Sequence, residues 1–270
     1  DQFRGHPRVS IFFAPHAPYT VADDSFREIR LLANELDAQI HMHVHETASE
    51  IGESQQRHGR RPLQRLDELG LLTPLLAAVH MTQLTAGEIS LLAGRGVSVV
   101  HCPESNLKLA SGFCPIADLA ATGINVALGT DGASSNNDLD MFGEMRSCAL
   151  LAKGVAKRAE VAPAAAVLRM ATLNGAQALG LGDRIGSLAI GKEADVICVD
   201  LSAAATQPVY DPVSQLVYAT SRDQVSDVWV AGRQLLADRQ SLLADAPAIL
   251  ARAEAWRARL SAARGSVAHD

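Results

Sequence analysis

Short apolar runs alternate along the first half of the chain with stretches in which apolar residues recur every three or four positions. Short apolar runs have the length of buried β-strands, and a period of three to four residues is typical of a helix with one apolar face. The alternation of the two predicts βα units with parallel strands. The predicted strands are 9–14, 39–45, 76–80, 97–101 and 125–128.

Residues that begin and end helices fall between these strands. Asp24 and Thr85 lie where N-caps are expected, and Gly70, Gly94 and Gly123 lie where helices are expected to stop. The pattern therefore predicts a helix in each of the four intervals. The predicted helices are 23–37, 61–69, 86–93 and 116–121.

The pattern changes in the second half of the chain. Two longer amphipathic stretches predict helices at 138–157 and 163–179, and an alanine- and arginine-rich tail predicts another at 244–263. Between them lies a β-rich region, in which Gly232 fits a tight hairpin turn. The predicted strands of this region are 195–199, 225–230 and 233–236.

Composition limits the class of protein. With 270 residues, of which 48% are hydrophobic and 20% charged, the chain can bury a core of one large or two modest domains. The net charge of −6 without a basic patch argues against nucleic-acid binding. There is no apolar run of membrane-spanning length and no signal-peptide pattern. The four cysteines form no C-x-x-C pair, which favours a reducing, cytoplasmic setting.

Polar residues gather where the predicted strands end. The carboxyl ends of parallel strands form the rim on which a βα barrel builds its active site. One histidine at a strand end is more often a structural residue, but five consecutive strands that end in this way favour a functional site. The residues concerned are His16, His43, Glu46, His80, His101, Asn106 and Asp131.

The second strand carries three alternating histidines, His41, His43 and His45, whose side chains leave the same face. They form either a polar strip or, in part, a metal site, because neutral imidazole is a common metal ligand. Glu46 reaches the same centre only if the strand ends near His45; otherwise it is a solvated carboxylate. Asp131 lies in a Gly-Thr-Asp-Gly turn, which suits either ligand approach or simple turn chemistry.

Several segments resemble the metal-dependent amidohydrolase superfamily, and within it the 5-methylthioadenosine/S-adenosylhomocysteine deaminases and the triazine hydrolases. The most specific are Ser-Asn-Leu-Lys-Leu-Ala-Ser-Gly at 105–112 and Gly-Thr-Asp-Gly-Ala-Ser-Ser-Asn-Asn at 129–137. Segment 183–199 resembles the stretch that leads into that family's small β-sandwich. The other matching segments are 14–20, 41–47, 79–80, 101–104, 128 and 138–140.

The resemblance implies an α/β fold with a (β/α)8 TIM-type barrel that lacks its first three βα units, plus part of a small β-sandwich. The implied regions are 1–182 for the barrel portion and its following helices, 183–237 for the partial sandwich and 238–270 for a helical tail. The chain starts at Asp1 rather than Met, so we expect a segment to precede it. Nothing in the sequence matches the H-x-H pair of the family's first strand.

The resemblance also implies roles for single residues. His43 and Asp131 would bind one divalent metal, for which zinc is expected, and Asp131 would also act as the base. Glu46 would protonate and contact the substrate ring, His80 would contact the metal-bound water, and His16 would contact the substrate. His41 and His45 match no ligand position. Residues expected to shape the loops over the pocket are Ser105, Asn106, Lys108, Asn136 and Asn137.

The implied activity is hydrolytic deamination of adenine-type nucleosides, which breaks a C–N bond in a cyclic amidine and releases ammonia. Two alternatives stay open. One is an aminohydrolase or chlorohydrolase of another aromatic ring, such as guanine or a triazine. The other is a ligand-binding fragment without catalysis. The expected partner is a small molecule rather than nucleic acid or membrane, and homo-oligomer formation stays open.

Overall fold

A computed structural model describes residue 3 and residues 5–267 of the chain. The chain divides into two compact units, which are described separately below. The first contains the chain up to Lys192 together with Leu201–Arg222, and the second contains Glu193–Asp200 together with the chain from Asp223 onward. Among the described helices, none combines the length and apolar character needed to cross a membrane.

The first unit is an α/β structure around a four-stranded parallel sheet, in the order β1-β2-β3-β4. Its core is aliphatic, and β2 is buried along its whole length, as expected for a parallel strand covered on both faces. The strands are β1 (Ile40–Val44), β2 (Leu76–His80), β3 (Ser98–His101) and β4 (Val126–Leu128).

The strand predicted at 9–14 is reduced to a single bridge, so that prediction was wrong in extent. Phe13 pairs in parallel with Ile40, donating to Gln39 O and accepting from the amide of His41. Pro15 has no amide hydrogen to continue a regular ladder, although the amide of His43 donates to His16 O beyond it. This bridge nevertheless brings His16 alongside the end of β1.

Four of the first six helices are close to the predicted ones, and the pattern missed the other two, α2 and α5. Thr85 and Glu88 form a full capping box at the start of α4, as predicted for Thr85. Asp24 is not an N-cap: Ala22 takes that position, and Asp24 pairs with Arg27 instead. The helices are α1 (Asp23–Leu36), α2 (Ala48–His58), α3 (Pro62–Glu68), α4 (Ala86–Arg95), α5 (Pro103–Lys108) and α6 (Ile116–Ala121).

Gly94 does not end α4, contrary to prediction. The helix runs through it and ends at Gly96, whose left-handed φ of 68° lets its amide donate back to the last turn. The predicted helix at 163–179 is also wrong as a single element. It is broken at Thr172, whose φ of −126° and ψ of −93° are not helical, and Asn174 then ties the second piece to β4 through Val126 O.

The remaining helices of the first unit include the two pieces of that broken segment. They are α7 (Met141–Ala156), α8 (Ala164–Met170), α9 (Leu173–Ala178) and α10 (Pro212–Tyr218). The side chain of Asp140 caps α7 by accepting from the amide of Phe142. This cap fixes where α7 begins, directly after the loop that follows β4.

The second unit is built on an antiparallel sheet in the order β5-β6-β7-β8. At the predicted hairpin, Ala231 and Gly232 both have positive φ (48° and 75°), as a type I′ turn requires. Cys198 is exposed on β5, whereas Cys102, Cys114 and Cys148 of the first unit are buried. The elements are β5 (Val196–Val199), β6 (Val225–Val230), β7 (Arg233–Ala237), β8 (Gln240–Ser241) and α11 (Ala246–Val267).

Candidate metal centre

The parallel strands of the first unit end in residues with left-handed backbone conformations. His45 (φ 54°) follows β1, His80 (φ 78°) ends β2, and Asp131 (φ 60°) lies after β4. Left-handed residues turn the chain sharply. The turn at His45 is the condition under which Glu46 can face the same centre as His43.

Three of the strand-end residues offer their donor atoms to one place. One donor atom each from His43, His80 and Asp131 lies within 4.8 Å of the other two. His43 Nε2 is 3.9 Å from Asp131 Oδ1, and the rings of His43 and His80 stack with centroids 5.2 Å apart. The parallel register of the strands brings their carboxyl ends, and hence these side chains, to one edge of the sheet.

The two imidazoles are each fixed by a second contact. His43 Nδ1 lies 3.0 Å from His16 O, and His80 Nδ1 lies 2.8 Å from Asn106 Oδ1. Because both partners are acceptors, each Nδ1 carries the proton and each Nε2 keeps a lone pair. Burial lowers the pKa of His80, against the attraction of Glu46, which favours the neutral, metal-binding form.

The carboxylate of Asp131 is held from one side. Its Oδ2 accepts hydroxyl hydrogen bonds from Ser105 (2.7 Å) and Ser135 (2.5 Å), which leaves Oδ1 towards His43. Burial alone would raise the pKa of Asp131, but the hydrogen bonds from Ser135, Ser105 and the Gly132 amide outweigh it and lower that pKa. Asp131 is therefore ionised at neutral pH.

This donor set fits a divalent metal. Two imidazole nitrogens with free lone pairs and one carboxylate oxygen are ligands that zinc accepts, and catalytic zinc sites combine protein ligands with an open position. Hydrogen bonds that orient the far side of each ligand are the usual surroundings of such a site. The residues present therefore suit zinc.

Glu46 and His16 lie at the edge of this group. Glu46 Oε2 is 3.8 Å from His80 Nε2, and Oε1 accepts a hydrogen bond from the Ser111 hydroxyl at 3.3 Å. The exposed ring of His16 meets that of His43 edge-on, with centroids 5.2 Å apart. Both side chains therefore border the candidate centre.

The other histidines of the strand ends lie away from the group. His45 is fully buried, its Nε2 accepts from the amide of Leu63, and burial lowers its pKa to about 4. Burial also lowers the pKa of the half-buried His41. His101 is buried, and burial lowers its pKa to about 3.

Sequence reasoning missed the two serines Ser111 and Ser135 as partners of Glu46 and Asp131. Both lie in the motif segments 105–112 and 129–137, which was the only available signal. Lys108, expected to shape a loop, joins these two segments: its Nζ donates to Ser134 O (2.9 Å) and to Asn137 Oδ1 (2.7 Å).

Comparison with known proteins identifies a family and a curated relative. Residues 2–235 match the amidohydrolase family. A 5-methylthioadenosine/S-adenosylhomocysteine deaminase from Teredinibacter turnerae is 55% identical over 239 residues, which are 88% of this chain and 54% of that protein. The chain thus spans about half the length of this curated relative.

Solved structures match over nearly all of the chain. An adenosine deaminase from Xanthomonas campestris with bound zinc superposes with a TM-score of 0.96 at 57% identity, over 97% of this chain and 60% of that one. A zinc complex of an atrazine chlorohydrolase from Arthrobacter aurescens gives a TM-score of 0.86 at 27% identity, over 94% of this chain and 58% of that one.

Proposed function

The chain belongs to the amidohydrolase family, and from that premise we propose that it carries part of the active site of a zinc-dependent deaminase. Its substrates would be adenine-type nucleosides, namely 5-methylthioadenosine and S-adenosylhomocysteine. The name and the 55% identity of the Teredinibacter relative support this substrate class. The atrazine chlorohydrolase, at 27% identity, supports the triazine alternative less strongly.

The proposed architecture is a TIM-type barrel to which this chain contributes the bridge at Phe13 and strands β1 to β4 as the last five strands. The consecutive parallel order of these strands supports it. Residues 1–182 would belong to the barrel and its helices, 183–237 to a small β-sandwich, and 238–270 to a helical tail. The first three βα units would lie outside this sequence.

In this proposal His43 and Asp131 hold one zinc ion, through Nε2 and Oδ1. A bound zinc ion lowers the pKa of water towards neutrality and so supplies a nucleophile at neutral pH. His80 is within reach of the same place, and its neutral Nε2 would accept a hydrogen bond from the attacking water. The stacking of the His43 and His80 rings fixes the orientation of one imidazole relative to the other.

Asp131 would take the proton of the attacking water, since its Oδ2 is already held by two hydroxyls and its ionised form prevails. Glu46 would give a proton to a ring nitrogen of the substrate, which makes the neighbouring carbon electrophilic. Water attack at that carbon, departure of the amine protonated in turn by Asp131, and return of the remaining hydroxyl proton to Glu46 would give ammonia and the ring carbonyl. Each proton transfer is typically worth about 10²–10⁴-fold in rate.

His16 would contact the substrate at the mouth of the site. Its Nδ1 lies 3.0 Å from Thr20 Oγ1, which orients the ring, and its edge-on contact with His43 directs it along the rim. Because the side chain is exposed, it can adjust to a bound ligand. Ser111 would meanwhile orient Glu46 towards the ring.

The observation that carries the proposal is the convergence of His43, His80 and Asp131 beside Glu46. Its test is ammonia release from 5-methylthioadenosine, S-adenosylhomocysteine and an aminotriazine, with zinc content, in the full-length protein and its His43→Asn variant. We expect the nucleosides to be deaminated and the variant to lose zinc and activity. His41→Asn, two positions earlier on the same face of β1, is the matched control and should retain both.

Faster turnover of the triazine than of the nucleosides would favour the second candidate function, hydrolysis of another aromatic ring. Zinc binding without turnover of any of these compounds would favour a ligand-binding protein. Equal zinc loss in the His41 and His43 variants would contradict the assignment of His43 as a specific ligand.

A further inference from the structure

The carboxylate of Asp131 depends on hydroxyls from two separate segments, which must be kept in place together. Ser105 lies on α5, and Ser135 lies in the loop that follows β4, and both donate to the same oxygen of Asp131. If either segment moved, Asp131 would lose one of the two contacts that leave its Oδ1 directed at His43.

A buried glutamate of α7 contacts both of these segments. Glu144 is 0% exposed; its Oε2 accepts from the backbone amide of Glu104 at 3.2 Å, and its Oε1 accepts from Asn136 Nδ2. Glu104 immediately precedes Ser105, and Asn136 immediately follows Ser135. In each segment, therefore, Glu144 binds one residue and Asp131 binds the residue next to it.

We propose that Glu144 is a positioning residue, which holds α5 and the loop after β4 so that Ser105 and Ser135 fix the metal-binding orientation of Asp131. The proposal rests on the proposed function only in taking Asp131 as a metal ligand. Glu144 is not one of the residues whose donor atoms converge at the candidate centre, which are His43, His80 and Asp131. It acts through two hydrogen-bond donors that are neighbours of the two serines.

A purely structural role explains Glu144 poorly. A buried carboxyl group costs free energy unless it is hydrogen-bonded, and an apolar residue would pack α7 at lower cost. Burial also raises the pKa of Glu144 to about 8, against the lowering effect of the hydrogen bonds from Glu104 and Asn136. A carboxyl group has two oxygens that can accept hydrogen bonds from two different donors, which an apolar side chain does not have.

Two other residues of α7 near Glu144 also contact the start of α5. The Ser147 hydroxyl donates to Glu104 Oε1 at 2.9 Å, and a Cβ on Gly143 would lie only 3.0 Å from that same oxygen. Glycine at position 143 thus lets Glu104 lie against the helix. The start of α5 is held on α7 by its backbone and by its side chain.

The experiment compares the full-length protein with Glu144→Gln, which keeps the size but has one acceptor oxygen and an amide group that faces the other donor. Amide hydrogen exchange should rise in 103–108 and 132–137 together. Zinc affinity, measured by competition with a chromophoric chelator, should fall about 10-fold, as for the loss of other residues that orient metal ligands. Asn136→Leu should raise exchange in 132–137 alone, and it serves if the first variant does not fold.

Met145→Ala is the matched control, because Met145 is the next residue of α7, buried and apolar. It should lower the melting temperature without changing exchange in the two segments or zinc affinity. A parallel loss of zinc affinity in both variants would reduce Glu144 to a packing residue and overturn the proposal. So would unchanged exchange in either segment of Glu144→Gln.

A final comparison places Glu144→Gln in a protein that already carries Ser105→Ala and Ser135→Ala. If Glu144 acts through the two serines, it should have no further effect on zinc affinity there, whereas an independent effect would be additive and contradict the proposal. None of these readouts uses turnover. An inactive protein that binds zinc would contradict the proposed deaminase and leave the role of Glu144 standing, and changes in exchange would test that role even without zinc.

Discussion

Glu46 and Asp131 are acidic side chains of the same site with different surroundings. Asp131 Oδ2 accepts two short hydrogen bonds from hydroxyl groups, whereas Glu46 accepts one long hydrogen bond from Ser111 and faces His80. In the proposed function Asp131 holds the metal as well as moving a proton, whereas Glu46 only delivers a proton to the ring. Their conservative variants should therefore differ.

We expect Glu46→Gln to retain zinc and to lower kcat by about 10²–10⁴-fold, because an amide can hydrogen-bond the ring but cannot deliver a proton. Asp131→Asn should lose zinc as well as rate. Zinc content and kcat of both full-length variants decide the matter. Zinc loss in Glu46→Gln would make Glu46 a ligand, and near-normal turnover would leave it a solvated carboxylate.

His45 makes the folded state sensitive to acid. Its pKa is lowered to about 4 by burial, from a usual value of 6.5, so the folded state binds fewer protons than the unfolded state between these values. Stability is therefore complete above about pH 6.5 and falls as the pH drops towards 4, by at most about 1.4 kcal/mol per pH unit. Protonation of Nε2 would also break the hydrogen bond that this atom accepts from the Leu63 amide, because two N–H groups would then face each other.

His45→Gln should reduce this dependence, because its amide oxygen can accept from Leu63 and does not titrate. Part of the dependence should remain, because the buried His101, whose pKa is lowered to about 3, contributes in the same direction. Urea midpoints between pH 7.5 and 4.5 measure the effect. His6→Gln, at an exposed position, is the control and should keep the slope of the parent protein. An unchanged slope in His45→Gln would assign the acid sensitivity to other groups.

At the scale of elements, the start of α4 is stabilised by a capping box that also reaches α3. Thr85 Oγ1 accepts from the Glu88 amide, and the Glu88 carboxylate accepts from the Thr85 amide and from Arg61, the N-cap of α3. Loss of the threonine hydroxyl frees one amide at the end of the helix. The box lies away from His43, His80 and Asp131.

Thr85→Ala should lower the free energy of unfolding by about 1 kcal/mol, the usual cost of losing such a cap. Zinc binding should not change. Ser90→Ala, at an exposed position inside α4, removes a hydroxyl that bonds within the helix and should be neutral or slightly stabilising. Urea denaturation of both variants measures this; equal destabilisation would contradict the special role of the cap.

These elements also show what the sequence could predict. β2 at 76–80, α6 at 116–121 and the cap at Thr85 were predicted correctly because each depends on local periodicity or a local hydrogen bond. The strand at 9–14 and the helix at 163–179 were not, since their extent depends on Pro15 and on the tie between Asn174 and β4. Local pattern carries no information about such distant partners.

At the scale of the whole molecule, the rhythm of strands and helices indicated a parallel sheet and chemistry at its carboxyl edge. It could not indicate which histidines would meet. His41, His43 and His45 have equal spacing, and only the contacts of each, such as that of His45 with Leu63, separate them. The pattern predicted the strands of the second unit at 195–199, 225–230 and 233–236, but it could not indicate that the intervening Leu201–Arg222 belongs to the first unit.

The distribution of the four cysteines makes the chain selectively labelable. Burial raises the pKa of Cys148 to about 12 and raises those of Cys102 and Cys114 as well, while Cys198 is exposed on β5. Since the thiolate is the reactive form, a maleimide fluorophore should attach to Cys198 first under native conditions. Peptide mapping by mass spectrometry should find the other three labelled only after denaturation. A dye could thus report on the antiparallel sheet, and mild air oxidation would act there before it reached the cysteines of the first unit.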